Sequence, residues 1–567
     1  MRRCLVTAVL AFVILAMLAP PAFAQAPAGP PAPKVTITGT FDQITSAGRN
    51  FYDGNFARDN DREWYARTRF RPDFEFAVGR TKAVLAIELD LMYGQGGSND
   101  GGFPGNNSGQ PGGFAGGTKS ATGGGLDINT DVAGLFEIKW IYTEFDLTGK
   151  DSLLPFIPIL TVARAGGQPF GTIANYKVYY ANGDFAGLDL YSTFTPDIKN
   201  HLAYVIVEDQ LAGGNRTAAA QNRTNRGEDY AFIISPEFTP FKGLDLKPMF
   251  SWFHADGLTS GSSRRNAFNQ RTSGGTMNGV AAYAGATPAG AAAAGGDATY
   301  HEERYTVGLD ARWRVGPFGL DPTISYQWGA YDTQALSNTT GAAQKVRGDA
   351  SAWLFDVIGS YQLGPLLLEM RGTYSTGNKA RDNLSLSKRY YEPLDTDTGF
   401  WSGGWLGILG LGVDYFNGGG GANIGMDTNV GYDRYGRGSF ALRGTYSLTP
   451  ALSFYGVVSP NWTAEKVDTN TGCPALNVST SALGCTSRVA VAGSGRPSFA
   501  EGDSSYLGTE VNGGFTWRFA PNAAFDLAGY YLFAGSAMDQ AESLNGVIVK
   551  RDARDGYYAA ARVRLSF

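Results

Sequence analysis

Along residues 63–76, polar and apolar side chains alternate with a period of two. Trp64, Ala66, Phe70, Phe74 and Phe76 fall on one face, and Glu63, Arg67, Arg69, Arg71 and Asp73 on the other. Successive side chains of a β-strand point to opposite faces, so this is the pattern of a strand between an apolar and a polar medium. Residues 302–315 repeat it, with Tyr305, Val307, Leu309, Ala311, Trp313 and Val315 opposing Glu302, Arg304, Thr306, Asp310, Arg312 and Arg314. A helix built from either segment would scatter these charges around its circumference. Both segments exceed the ~5–6 residues of an average soluble strand and reach the ~9–11 that a membrane-spanning strand needs.

Short turn signals recur between such segments, at Gly79-Arg80, Gly149-Lys150, Pro196-Asp197, 240–243, Gly316-Pro317, Gly364-Pro365, Thr449-Pro450 and Ala520-Pro521. A first strand near residues 35–45 and a last one ending at Phe567 complete the pattern. The count comes to about eighteen strands, with sixteen as the alternative, and even numbers are those of single-chain bacterial barrels. The connections over 94–130, 256–300, 378–430 and 465–503 are instead long and rich in Gly, Asn, Ser and Thr. The expected fold is all-β, a transmembrane antiparallel up-and-down β-barrel with short periplasmic turns and long extracellular loops.

Composition agrees with a wall that is apolar outside and polar inside. The chain holds 77 Gly, 29 Tyr, 34 Phe and 10 Trp, yet its mean hydropathy is slightly negative. After the amino-terminal segment no apolar run approaches ~18 residues, which excludes spanning helices. That segment reads as a cleaved signal peptide over 1–24. Arg2 and Arg3 precede an apolar run over 5–18, then comes Ala22-Phe23-Ala24, and the mature chain is expected to start near Gln25. Cys4 lies ahead of the run, so it is not placed for lipoprotein acylation. Residues 25–34 form a Pro-rich periplasmic lead-in, and 35–567 the barrel, with no linker between domains. A formal net charge of −5 excludes nucleic acid as a partner. Cys473 and Cys485, exported to an oxidising compartment, are expected to pair in an extracellular loop. No His lies near them, so no metal site is expected.

The terminal residues Tyr557-Tyr558-Ala559-Ala560-Ala561-Arg562-Val563-Arg564-Leu565-Ser566-Phe567 resemble the last strand of Gram-negative outer-membrane porins. The resemblance implies residence in the outer membrane among lipid and lipopolysaccharide, and recognition of Phe567 by the barrel-assembly machinery. The strand count and basic inner face are similar to substrate-selective and alginate-export-type porins, without a motif that assigns a subfamily. The oligomeric state, monomer or homotrimer, stays open. A plugged receptor of about 22 strands is set aside because alternation begins soon after the cleavage site. Catalysis is not expected: His201, His254 and His301 are the only histidines and no nucleophile–base set stands out. No cofactor is expected either. Asp395-Thr396-Asp397-Thr398-Gly399 opens like a calcium loop but lacks its closing Glu, and the glycines within 403–412 lack the following Lys-Ser/Thr of a phosphate cradle. The apolar stretch 401–409 is expected inside the lumen or back on the rim.

Parity assigns Arg67, Arg69 and Arg71, then Arg304, Arg312 and Arg314, then Arg371, Arg437, Arg443, Arg518, Arg562 and Arg564 to the pore lining. Glu88, Asp90, Asp310 and Glu369 share that face. A cation facing lipid at mid-bilayer costs ~2–4 kcal/mol, which is the reason for the inward assignment. The three arginines of 67–71 stand roughly 7 Å apart at ~3.4 Å per residue. They form either a ladder that hands anions along or one edge of a salt-bridge lattice. The function expected is passive diffusion of small hydrophilic solutes with a preference for anions. The alternatives are a structural or adhesive barrel with a closed lumen, or an export channel for an acidic polysaccharide.

Overall fold

The computed structural model describes residues 32–50, 62–93, 136–181, 184–208, 229–257, 276–277, 280–283, 300–336, 343–379, 387–394, 405–409, 435–467, 502–544 and 547–567. The segments 1–31 and 395–399, together with Cys473 and Cys485, lie outside them.

Eighteen long strands form a closed antiparallel ring. In chain order they are β1 (Lys34–Arg49), β2 (Arg62–Val78), β3 (Thr81–Tyr93), β4 (Phe136–Thr148), β5 (Leu160–Pro169), β6 (Asp184–Thr195), β7 (Ile198–Glu208), β8 (Asp229–Phe241), β9 (Leu244–Gly257), β10 (Tyr300–Val315), β11 (Phe318–Leu336), β12 (Ala343–Leu363), β13 (Leu366–Ser375), β14 (Arg437–Thr449), β15 (Leu452–Val467), β16 (Ser504–Ala520), β17 (Ala523–Ala534) and β18 (Gly556–Ser566). Each pairs with its chain neighbours, and β1 pairs with β18 from Thr40↔Ser566 to Arg49↔Tyr557, which closes the ring. Short strands at Thr276–Met277, Val280–Tyr283 and Ser387–Lys388 join its sheet.

At one end the hairpins close through the residue pairs 79–80, 196–197, 242–243, 316–317, 364–365, 450–451 and 521–522. Gly79, Gly316 and Gly364 sit at φ 61, 57 and 55, the left-handed region that two-residue hairpin turns require. One expected tight turn is corrected. The connection after β4 runs through 149–159 and returns on itself, Leu154 donating its amide to Leu147 O at 2.8 Å and bridging Thr148 in parallel. A Gly at φ 100 still starts the reversal, but the apolar residues that follow extend it.

The outward face exposes Trp64, Phe76, Trp313, Phe318, Met370, Leu442 and Val563, whereas Asp42, Arg69, Glu88, Arg304 and Asp310 are buried on the inward one. An apolar surface of this extent is stable only against hydrocarbon, so the ring spans a membrane. Among the described residues no helix is long and apolar enough to cross one.

The ring closes on the last residue. Phe567 and Gly39 exchange two backbone hydrogen bonds of 3.0 and 3.1 Å, and the Phe567 ring stacks on Phe70 with centroids 6.1 Å apart. A Cβ on Gly39 would lie 2.3 Å from Arg71 O, so only glycine fits there.

Three described segments enter the ring. Residues 170–181 include the single-turn helix α1 (Gly171–Ala174) and pack with inward Ala203, Val205, Ile233 and Phe253. Residues 387–394 meet them through the Leu394 amide on Tyr180 O at 2.8 Å. Residues 405–409 pack with Leu507, Leu532 and Tyr558. Of the two placements open to 401–409, the interior one holds for its described part.

Candidate functional site

The wall of β17, β18, β1, β2, β3, β4 and β5 carries a row of ion pairs set by strand register. Glu88 of β3 forms ion pairs with both Arg69 Nη2 at 2.9 Å and Arg71 Nε at 2.8 Å. Asp42 pairs with Arg564, Nε lying 2.6 Å from Oδ1. Asp526 takes Arg562 at 2.8 Å, Glu144 takes Arg164 at 2.8 Å and Lys82 at 3.1 Å, and on β13–β14 Glu369 faces Arg443 at 3.7 Å. Two of the three expected rungs, Arg69 and Arg71, are thus part of a lattice.

In these pairs, apart from Arg69–Glu88 at 5% and 7%, the cation is the wetter partner. Side-chain exposure is 35% for Arg71 against 7% for Glu88, 31% for Arg564 against 0% for Asp42, and 30% for Arg443 against 18% for Glu369. The cause is stem length: a short carboxylate stays at the wall while the longer arginine reaches past it into water. Glu88 and Glu144 each face two cations, and Asp42 and Glu369 one each.

The opposite wall is covered. Arg304, 1% exposed, and Lys388 share Glu302 and Glu392 at 2.7–3.2 Å, and the Arg304 guanidinium also lies over the Phe253 ring at 4.7 Å. Two cations balance two carboxylates in this buried cluster. Beside it, Asp356 accepts Lys177 Nζ at 2.6 Å and Arg371 Nε at 2.7 Å. Asp310 accepts the Lys177 amide at 2.9 Å and Thr323 Oγ1 at 2.7 Å. Arg312 donates to Tyr176 O at 3.2 Å and lies 4.3 Å over its ring. Burial, with Glu237 and Asp245 nearby, pushes the Tyr176 phenol above its ordinary range, so it stays neutral.

The remaining expected residues are dispersed. Arg314 meets Asp321, with Nη2 to Oδ2 at 2.7 Å. Arg437 is buried with Nη2 3.4 Å from Asn461 Oδ1, and Arg518 is exposed near the short-turn end of β16. The side chains of Arg67 and Asp90 lie outside the described residues.

Glu510 of β16, fully buried, holds the third segment. Its carboxylate accepts the amides of Gly407, Ile408 and Leu409 at 2.7, 3.0 and 2.8 Å and Asn512 Nδ2 at 3.0 Å. Three consecutive amides turned to one carboxylate form an anion nest. Side chains could not have indicated it, because the donors are backbone groups. Lys177, Lys388 and Glu392 were missed too, since they enter from connections where alternation has no meaning. Asp42, Glu144 and Arg164 stand on strands and were legible by parity.

No protein-family model matches the sequence, and no curated protein does. Among solved structures the chain is similar to OccK8 (OprE) of Pseudomonas aeruginosa at 11% identity and a TM-score of 0.43, over 94% of this chain and 98% of that one. It is also similar to a BenF-like porin from Pseudomonas fluorescens Pf-5, at 9% identity and a TM-score of 0.44 over 94% and 98% of the two chains. A third is OpdK of Pseudomonas aeruginosa with vanillate, at 8% identity and a TM-score of 0.39 over 94% and 99%.

Proposed function

We propose that this chain is an outer-membrane porin that passes small hydrophilic solutes by passive diffusion and prefers anions. The observation that carries the reading is the water-facing cation layer of Arg71, Arg564 and Arg443, each outermost over a more buried carboxylate. Arg71 and Arg564 stay 35% and 31% exposed, and the Arg443 guanidinium lies 5.7 Å over the Trp405 ring of the third inward segment. Guanidinium stays charged at every physiological pH and binds carboxylate or phosphate through two parallel hydrogen bonds. Single-channel recording on the purified protein tests the conduction, and the reversal potential across a salt gradient tests the sign. A silent bilayer would favour a closed structural barrel, for which the three inward segments speak.

The same reading assigns 1–24 to a signal removed on export, Phe567 to recognition by the assembly machinery, and the setting to a Gram-negative outer membrane. Cys473 and Cys485 are proposed to be disulfide-linked. Labelling of the unreduced, unfolded protein should find no free thiol in the mature chain, and stoichiometric labelling at both positions would refute the pairing.

A further inference from the structure

Residues 170–181 run inside the ring as two buried arms joined by a short tip. In the first arm Phe170, Ala174 and Asn175 are fully enclosed, and the carbonyls of Thr172 and Ala174 accept Lys247 Nζ at 2.7 Å and Ser235 Oγ at 3.0 Å from the β8–β9 wall. In the second, Tyr180 and Ala181 are enclosed. The Tyr180 hydroxyl donates to Ser251 Oγ at 2.7 Å, and its carbonyl accepts the Leu394 amide. Tyr176, Lys177 and Val178 between the arms are only half-buried. Lys177 seats this tip on the wall of β10–β12. Its Nζ donates to Asp356 Oδ1 at 2.6 Å, to Asp356 O at 3.1 Å and to Asp321 O at 2.9 Å, and its amide donates to Asp310 Oδ2 at 2.9 Å. Arg312 adds a bond of 3.2 Å to Tyr176 O.

The seated tip is strained. Val178, next to Lys177, stands at φ 56 and is the only β-branched residue in the left-handed region among the described residues. There its Cβ crowds the backbone, so the conformation persists only while the surroundings hold it. The carboxylates that hold Lys177 do not depend on it. Asp356 also accepts Arg371 Nε at 2.7 Å and Thr373 Oγ1 at 2.6 Å, both on its other oxygen, and Asp310 also accepts Thr323 Oγ1 at 2.7 Å. Withdrawal of Lys177 therefore strands no carboxylate, and it carries an ammonium that is 13% exposed into lumen water. We propose that Tyr176, Lys177 and Val178 form a gate. Seated on the β10–β12 wall, the tip leaves the passage open; unseated, it swings into the lumen and narrows it, with Lys177 as the latch and the Val178 backbone as the spring. The gate rests on the porin reading above and adds to it a means of closing. Both arms keep their own bonds when the latch opens, so the motion is confined to the three residues between them.

The test is single-channel recording on the full chain in a planar bilayer, with heat-modifiability confirming that each variant folds. The parent should step between a full and a lower conductance level. Lys177→Met keeps an unbranched side chain but loses the charge-assisted bonds, so the share of time in the lower level should rise about tenfold. Val178→Gly removes the strain from the seated tip and should make the lower level about threefold rarer. General loosening of the segment would move both variants the same way, whereas a sprung latch moves adjacent residues in opposite directions. Occupancy of the lower level that rises in both variants, or changes in neither, overturns the proposal. Hydrogen exchange in peptides covering 170–181 reads the same equilibrium without current. It should be faster than the parent's in Lys177→Met and, corrected for intrinsic rates, slower in Val178→Gly. If the parent conducts nothing, the porin reading fails; exchange shifts of opposite sign would then uphold the two-seat tip, and parental exchange in both variants would overturn it.

Discussion

Glu510 concentrates much of the interior in one side chain. Hydrogen bonds to a charged group contribute about 1.5–3 kcal/mol each, and donors left buried without an acceptor cost about 1–3 kcal/mol each. Three amides of 405–409 depend on this carboxylate. Glu510→Ala should therefore release the segment from the β16–β18 wall while the ring persists. The expected outcome is a higher single-channel conductance together with new protease sensitivity near Leu409. A folded variant with parental conductance would show that the segment is held by Trp405, Leu406 and their packing instead. Arg304 is the contrasting case. It is enclosed with Glu302, Lys388 and Glu392, and removing one member of a buried charge set costs about 3–5 kcal/mol. Arg304→Gln should thus lower folded yield, measured as heat-modifiable protein, rather than alter selectivity alone.

At the scale of an element, the seam between β18 and β1 is the place where a sheet becomes a ring. An unpaired edge in hydrocarbon leaves each backbone group several kcal/mol short of satisfaction. Phe567 supplies two of the seam's hydrogen bonds and its ring covers Phe70. Deleting Phe567 should reduce the heat-modifiable, membrane-inserted fraction severalfold while export to the periplasm continues. Equal membrane yield would remove Phe567 from any part in assembly. The turns are elements of the opposite kind. Their glycine φ values and two-residue length are local, which is why seven of eight stand within a residue or so of the positions where Gly and Pro signal them. The exception at 149–159 begins with the same Gly signal, and only its contacts distinguish it.

For the whole molecule, the proposed anion preference depends on the charge of the wet wall rather than on the net charge of the chain, which is negative. On the proposed reading, guanidiniums standing above wall carboxylates, with two cations on Glu88 and two on Glu144, bias the lumen toward anions. Replacing Arg71, Arg443 and Arg564 together by Gln should lower the anion-to-cation permeability ratio, read from reversal potentials. Screening limits such charges to roughly 8 Å at physiological salt, so the change should grow as ionic strength falls. A folded triple variant with an unchanged ratio at low salt would reduce these pairs to wall cement.

Period-two alternation and a count of about eighteen strands were legible in the sequence, because each follows from a local rule. A strand at a boundary between hydrocarbon and water must sort its side chains by parity, and a turn of two residues must be built from residues that tolerate its dihedrals. The partner of each charge was not legible. Arg69 and Arg71 read as rungs of a ladder, and only the β2–β3 register shows one Glu88 beneath both. Segments 170–181, 387–394 and 405–409 carry no periodicity, and their place inside the ring depends on contacts with strands more than a hundred residues away, such as Lys177 with Asp356 and Gly407 with Glu510. Tertiary structure alone decides those, since the energy that places a non-periodic segment comes from groups that only the closed ring brings within reach.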